Sequence, residues 1–183
     1  MKVKLEDIGD VFSGVQITRY VDINSNEYPV IKNKFKKENI LDYSMENISE
    51  NINEKYFSKK GDIIISLSQP NTVSLLHQEG FIIPMYFAIL RVNKEYDTSY
   101  IYHYLRSKIF HKKIHTLSEG GSLKIIKIEY LRNIEIETVD LKTQKKYGKF
   151  LNLIDKKSKL LDDKKQINEK IKEFVIQKQL NGD

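Results

Sequence analysis

His111 and His115 stand four residues apart, a spacing that presents two imidazoles on one helix face and can ligate zinc. Between them lie Lys112, Lys113 and Ile114. The glutamate that a zincin-type helix uses as general base is missing, and two lysines repel a cation. The pair reads as solvated or capping histidine. Asp22, Asn24 and Asn26 mimic the start of a calcium loop, but position six is Glu27 where glycine is needed and position twelve is Asn33 where glutamate is needed. No glycine-rich phosphate loop, dinucleotide fingerprint or Gly-x-Ser-x-Gly elbow occurs. Nor does the Asn/Asp-Pro-Pro-Tyr/Phe tetrapeptide that lines the usual pocket of an amino-methyltransferase. The absence of cysteine excludes disulfides, thiolate metal sites and a thiol nucleophile. The acidic pair Asp162-Asp163 reads as a solvated face. Nothing assembles a nucleophile, a base and an orienting group, so no catalysis by this chain is expected, and no metal or cofactor site.

Signals for recognition are more coherent. Lys32, Lys34, Lys36 and Lys37 interleave with Asn33 and Phe35; Arg106, Lys108, Lys112 and Lys113 form a second basic group, and Lys124, Lys127 and Arg132 a third. Such groups neutralise phosphates and give salt-sensitive binding, though any one is also an ordinary wet surface. Reading bases needs paired donors and acceptors, such as arginine for guanine and asparagine or glutamine for adenine. Two segments are rich in them: Ser13-Gly14-Val15-Gln16-Ile17-Thr18-Arg19-Tyr20 and Ser66-Leu67-Ser68-Gln69-Pro70-Asn71-Thr72. The plainer reading of both is turn chemistry.

The charge is unevenly placed. The chain of 183 residues carries +6, of which residues 140–183 hold +5 (12 lysines against 7 acids) and the first 139 only +1. DNA contact by the first part must therefore rest on local patches. In the tail, Phe150, Leu153, Leu160, Ile167, Ile171 and Phe174 recur at three- and four-residue steps, interrupted by Lys157 and Lys164, with Tyr147, Leu151, Ile154 and Leu161 beside them. This is a helix with one apolar seam. About 40 residues would reach roughly 60 Å. A rod of that length cannot bury its seam on itself and calls for a partner helix; the competing reading is a surface helix docked on its own domain.

The first 139 residues read as mixed and rich in strand. Gly61-Asp62-Ile63-Ile64-Ile65-Ser66-Leu67 predicts a turn and a buried strand. Residues 73–76 and 81–83 are short strand candidates, and residues 86–92 form another, entered from Pro84. Asp97 or Ser99 caps a helix expected through Ile101, Tyr104, Leu105 and Ile109. Gly120-Gly121 breaks the chain. Ile125, Ile126, Ile128, Ile134 and Ile136 suggest closing strands or short turns. The expected class is α+β: a β-rich domain over 1–139, then one long coiled-coil-forming helix over 140–183. No apolar run approaches the ~18–20 residues of a membrane span. The acidic N-terminal stretch does not read as a signal peptide, so a cytoplasmic chain is expected.

Taken in order, these segments resemble one half of a type I restriction–modification specificity subunit. The opening Leu5-Glu6-Asp7-Ile8-Gly9-Asp10-Val11-Phe12-Ser13-Gly14 looks like a short strand leading into a Ser-Gly loop. Lys60-Gly61-Asp62-Ile63-Ile64-Ile65-Ser66 looks like the family's central Lys-Gly-Asp strand. Gly80-Phe81-Ile82-Ile83-Pro84 with Phe87-Ala88-Ile89-Leu90-Arg91, then residues 100–105, Gly121-Ser122 and residues 131–136, follow in the family's order. One piece departs: the Pro-Pro-x-x-Glu-Gln entry to the long helix is reduced to Gln144.

The resemblance implies a target-recognition domain and a helical spacer that reads one half of a bipartite site in double-stranded DNA. It implies methyltransferase subunits as partners, carrying S-adenosylmethionine and the chemistry, with a restriction subunit as a further partner. A second copy is expected through antiparallel helix pairing along Phe150, Leu153, Leu160, Ile167, Ile171 and Phe174. Gln16, Thr18, Arg19, Gln69, Asn71 and Ser122 are candidates for base or near-base contacts, and Lys32, Lys34, Lys36 and Lys124 for phosphate contacts. The alternative is a coiled-coil dimer that scaffolds protein partners and has no DNA role.

Overall fold

A computed structural model describes residues 1–32, 42–69, 71–117 and 125–180. The elements follow in the order β1 (Lys2–Lys4), α1 (Leu5–Ile8), β2 (Gly9–Ser13), β3 (Glu27–Ile31), β4 (Tyr43–Asn47), β5 (Ile63–Ser66) and β6 (Val73–Leu75). Then come β7 (Phe87–Val92), α2 (Thr98–Arg106), α3 (Lys108–Leu117), α4 (Ile128–Asn133), β8 (Glu135–Glu137) and α5 (Leu141–Leu180). The architecture is the expected α+β arrangement, β-rich first and ending in a long helix.

The centre is a four-stranded antiparallel sheet in the order β2-β7-β5-β6. Successive strand residues face opposite sides. Ile63 and Ile65 therefore join one core cluster with Ala88, Leu90 and Val11, while Ile64 joins another with Phe87 and Ile89. The first cluster is covered by α1, α2, α3 and α4 through Leu5, Ile8, Ile101, Leu105, Phe110, Ile114 and Leu131. Burial on both faces is why β5 is an unbroken isoleucine run rather than an alternating one. A third cluster, of Val15, Val30, Ile48, Ile52 and Ile82, lies under the β3–β4 pair.

The Lys-Gly-Asp motif has a structural task. Gly61 turns at φ 94°. Asp62 is 2% exposed, and its carboxylate accepts from Lys59 N at 2.9 Å and from Arg91 Nε and Nη2 at 3.0 and 3.1 Å. Arg91 Nη2 also donates to Phe57 O at 2.7 Å. The buried charge is thus matched from several directions, as burial demands.

Several expectations are corrected. The helix through Ile101 and Ile109 is two helices. Ser107 takes an extended backbone between them, caps the end of α2 through its N–H to Tyr104 O, and accepts from Phe110 N through Oγ at 3.3 Å. The re-aimed α3 buries Phe110 and Ile114 and leaves Ile109 exposed. Residues 81–83 make isolated bridges from Ile82 rather than a strand. The segment after Ile125 contains a helix, α4, before the closing strand β8. Strand β8 pairs with β1, setting Lys2 opposite Glu137 and Lys4 opposite Glu135. These unlike-charge pairs stabilise a short ladder.

Helix α5 begins at Leu141, beside the change of composition near residue 140 and ahead of the apolar seam. Asp140 accepts from Thr143 N at 3.0 Å, an N-cap bond. The Thr143 hydroxyl, then its backbone N–H, hold the Asp140 carboxyl below the usual carboxylate range. The first turns of α5 run parallel to α2; from Asn152 onward every described residue is exposed. The docked reading therefore holds for the root of the rod and fails for its length.

Candidate nucleic-acid interface

Both polar segments singled out in the sequence leave the central sheet at the same end. Strands β2 and β5 flank β7 and are each antiparallel to it, so they run in one direction. Ser13, the last residue of β2, lies opposite Ala88, and Ser66, the last of β5, lies opposite Phe87. Two loops 53 residues apart in sequence therefore open beside the N-terminal end of β7.

The first loop is held by backbone. Gly14 N donates to Phe87 O and Val15 N to Ile83 O, both at 2.9 Å, and Met85 N donates to Val15 O at 2.8 Å. A Cβ on Gly14 would overlap the carbonyl oxygens of Ile83 and Pro84, so only glycine lets the strands close here. Gln16 then leads into a single 3-10 turn, Ile17–Arg19. Gln16, Thr18 and Arg19 are all exposed. Backbone hydrogen bonds thus hold the base of a loop whose polar side chains are exposed.

The second loop is braced by its own polar groups. Ser66 Oγ donates to Ser68 O at 2.9 Å, and Asn71 Nδ2 donates to Ser66 O at 3.0 Å. Asn71 is 8% exposed. Its amide is turned into the fold, where it holds the loop, and it offers solvent little surface. Gln69 is exposed. Ser68 bridges to Ile125, and Ile126 N donates to Leu67 O at 2.8 Å.

Between the loops lies the turn at Pro84 and Met85, from which the strand expected over residues 86–92 is entered one residue later than expected. Phe87 N donates to Pro84 O, so β7 starts after Tyr86, and Met85 is 52% exposed. Leu67 N donates to Tyr86 O at 2.9 Å. The Tyr86 hydroxyl donates to Ile31 O at 2.9 Å, and burial pushes its phenol pKa up. Tyr86 thus ties the second loop to the end of β3, where exposed Lys32 follows Ile31. The sequence signal for this turn was Pro84, read as the entry to the strand that follows.

Gln16, Thr18, Arg19, Gln69 and Lys32 are therefore gathered at or near one sheet end, with Asn71 beneath. Lys34, Lys36, Ser122 and Lys124 lie outside the described residues. The other basic groups disperse. Arg106 donates to Asp155 Oδ2 at 2.7 Å, Lys113 Nζ to Glu135 O at 2.6 Å and Arg132 Nε to Val11 O at 2.8 Å. Lys108 and Lys112 stay on the outer face of α3. Among the described residues no group of three or more His, Asp or Glu could hold a metal ion, and no helix is long and apolar enough to cross a membrane.

The seam residues Phe150, Leu153, Leu160, Ile167, Ile171 and Phe174 are 54–61% exposed. No described element of this chain covers them.

Comparison with known proteins adds the following. The family described as type I restriction modification DNA specificity domain matches residues 1–173. No curated protein sequence matches the chain. A crystal structure of the HsdS subunit from Thermoanaerobacter tengcongensis is similar at 17% identity with a TM-score of 0.69, covering 97% of this chain and 47% of that one. The type I restriction–modification S subunit from M. genitalium is similar at 19% identity and TM-score 0.65, covering 97% and 45%. A structure concerned with complex assembly and conformational transition of the type I R-M system is similar at 17% identity and TM-score 0.66, covering 88% and 39%. The chain spans less than half the length of these relatives.

Proposed function

The chain belongs to the type I restriction–modification DNA specificity family, and from that premise we propose that it reads one half of a bipartite DNA site for a methyltransferase complex. It acts as a recognition part without chemistry of its own. Methyl transfer from S-adenosylmethionine, and cleavage where the complex restricts, belong to partner subunits. The observation that carries this reading is the convergence of two polar loops at one end of the central sheet. Gln16, Thr18, Arg19 and Gln69 supply amide, hydroxyl and guanidinium groups for base edges, the first residue types one would choose for that task. Lys32 beside them supplies charge for a phosphate.

The uncovered seam of α5 supports the second half of the reading. Two copies pairing antiparallel would bury each other's apolar stripe and set two identical domains at opposite ends of a rod. A two-fold reader wants a two-fold site, so the target is a palindrome split by a spacer.

The test is genome-wide base methylation in cells with and without the chain. Loss of one bipartite, palindromic motif on deletion is the expected result. An unchanged pattern, with the partner methyltransferase expressed, would overturn the role in modification and leave a scaffold that pairs through α5.

A further inference from the structure

Helices α2 and α5 meet along two facing polar stripes. On α5 the stripe is Gln144, Gly148, Asn152 and Asp155, at helical spacing. Gln144 is 1% exposed and fully engaged. Its Oε1 accepts from Asp97 N at 2.9 Å, while its Nε2 donates to Thr138 Oγ1 at 3.0 Å and to Val139 O at 2.7 Å. One turn on, a Cβ at Gly148 would overlap Asp97 Oδ1 and come within 3.0 Å of Tyr100 N. The glycine is therefore a notch into which the start of α2 fits. Asn152 follows, donating to Ser99 Oγ at 3.0 Å and facing His103 Nε2 at 2.9 Å. Asp155 closes the series on Arg106 at 2.7 Å.

We infer that this ladder fixes the direction in which the rod leaves the domain, and so sets the spacer length between the two half-sites. The claim rests on the proposed reading of a bipartite site. The contacts are directional where an apolar helix–helix contact would slide: a notch sets separation, and hydrogen bonds at both ends set rotation and tilt. The lever is long. Roughly 25 residues follow Asp155 in α5, about 37 Å of helix. A tilt of roughly 10° at the root moves the far end by about 6 Å, near two base-pair steps of about 3.4 Å. A loosely held root could not hold a spacer to one length. The ladder also answers the missing Pro-Pro entry, since Gln144 ties the helix start to both the link that follows β8 and the N-cap of α2.

The experiment uses the full chain, whose lack of cysteine allows clean spin labelling at Lys94→Cys and Lys170→Cys. Labelled chain is diluted with unlabelled chain, and the distance distribution is measured by pulsed electron resonance. Gly148→Val and the exposed double variant Asn152→Ala/Asp155→Ala are compared with the parent; the second guards against Gly148→Val failing to fold. A narrow parental distribution that broadens or shifts by several ångströms in both variants is expected. In parallel, the methyltransferase complex is offered a DNA library in which the half-sites are fixed and the spacer varies by single base pairs. The parent should select one spacer. The variants should accept neighbours one or two base pairs away, at least tenfold more readily, with the half-site sequence unchanged. An unmoved distance distribution would overturn the ladder as the fixing device. A moved distribution with an unmoved spacer would overturn its link to spacing. A parent that reads no motif at all would overturn the functional reading and the spacing claim with it, while the distances would still decide whether the ladder holds the rod.

Discussion

Ile63, Ile64 and Ile65 in β5 are 0% exposed, whereas Ile167 and Ile171 in α5 are 56% and 54% exposed. The same side chain has opposite surroundings in the two regions. A strand at the centre of a sheet has partners on both edges and both faces, supplied by this chain. A helix that projects from its domain has none. Polar groups follow the same division. Asp62 and Arg91 form a pair with side chains 3% and 18% exposed, matched on several sides. The Lys172–Glu169 pair on the rod is 68% and 56% exposed, a geometry worth little in water. The domain satisfies itself; the rod leaves its apolar seam uncovered by any described element.

The comparison can be broken at the domain first. Asp62→Ala removes a buried carboxylate and leaves the partly buried Arg91 guanidinium without its partner, and domain stability should fall by about 3 kcal/mol. Urea unfolding measures this; a loss below about 1 kcal/mol would mean that solvent reaches the arginine and the core is less closed than described. The rod is broken separately. On the proposed pairing through α5, Leu160→Asp should leave a monomer in sedimentation where the parent sediments as a dimer, while domain stability stays within about 0.5 kcal/mol. A dimer that survives would move the interface away from the seam.

The next pair of substitutions sharpens the contrast within the candidate interface itself. Arg19→Ala should lose about 1–3 kcal/mol of specific binding and relax one base position, whereas Lys32→Ala should weaken all sequences alike and reduce the salt slope by about 1. Competition binding at several salt concentrations separates them; identical behaviour would remove the division between base reading and phosphate contact. The smallest effect is at the joint. The Asp140 carboxyl is held low by Thr143, so its contribution is present above the unfolded carboxylate range, near pH ~3.9, and is lost as pH falls through the folded value. Asp140→Ala should lower the melting temperature slightly at pH 7, and the difference from the parent should shrink as the pH is taken below 4.

Much of this was legible in residue order. The seam from Phe150 to Phe174 located α5 and its apolar face, because helical period and side-chain type are local properties. The isoleucine run located β5 for the same reason, and of the two expected caps, Asp97 and Ser99, it is Asp97 that fills the role, accepting from Tyr100 N at 2.8 Å. Other roles depended on distant neighbours. Glycine is a weak helix former in any sequence, yet Gly148 is a notch for the start of α2. Asn71 read as a base contact and lies turned into its own loop. Arg106 read as part of a basic group and is spent on Asp155, 49 residues away.

The sequence by itself determined an α+β chain with a strand-rich domain, a long apolar-striped helix, and two segments rich in base-reading residue types. Periodicity and composition suffice for that, since each is set by neighbours within a few residues. Only the tertiary structure decided that the two polar segments share one sheet end, because that follows from β7 pairing antiparallel with both β2 and β5. It also decided which polar side chains are consumed inside the fold and which stay free. Pairing across the fold is settled by closure of the whole core, and no local pattern records it.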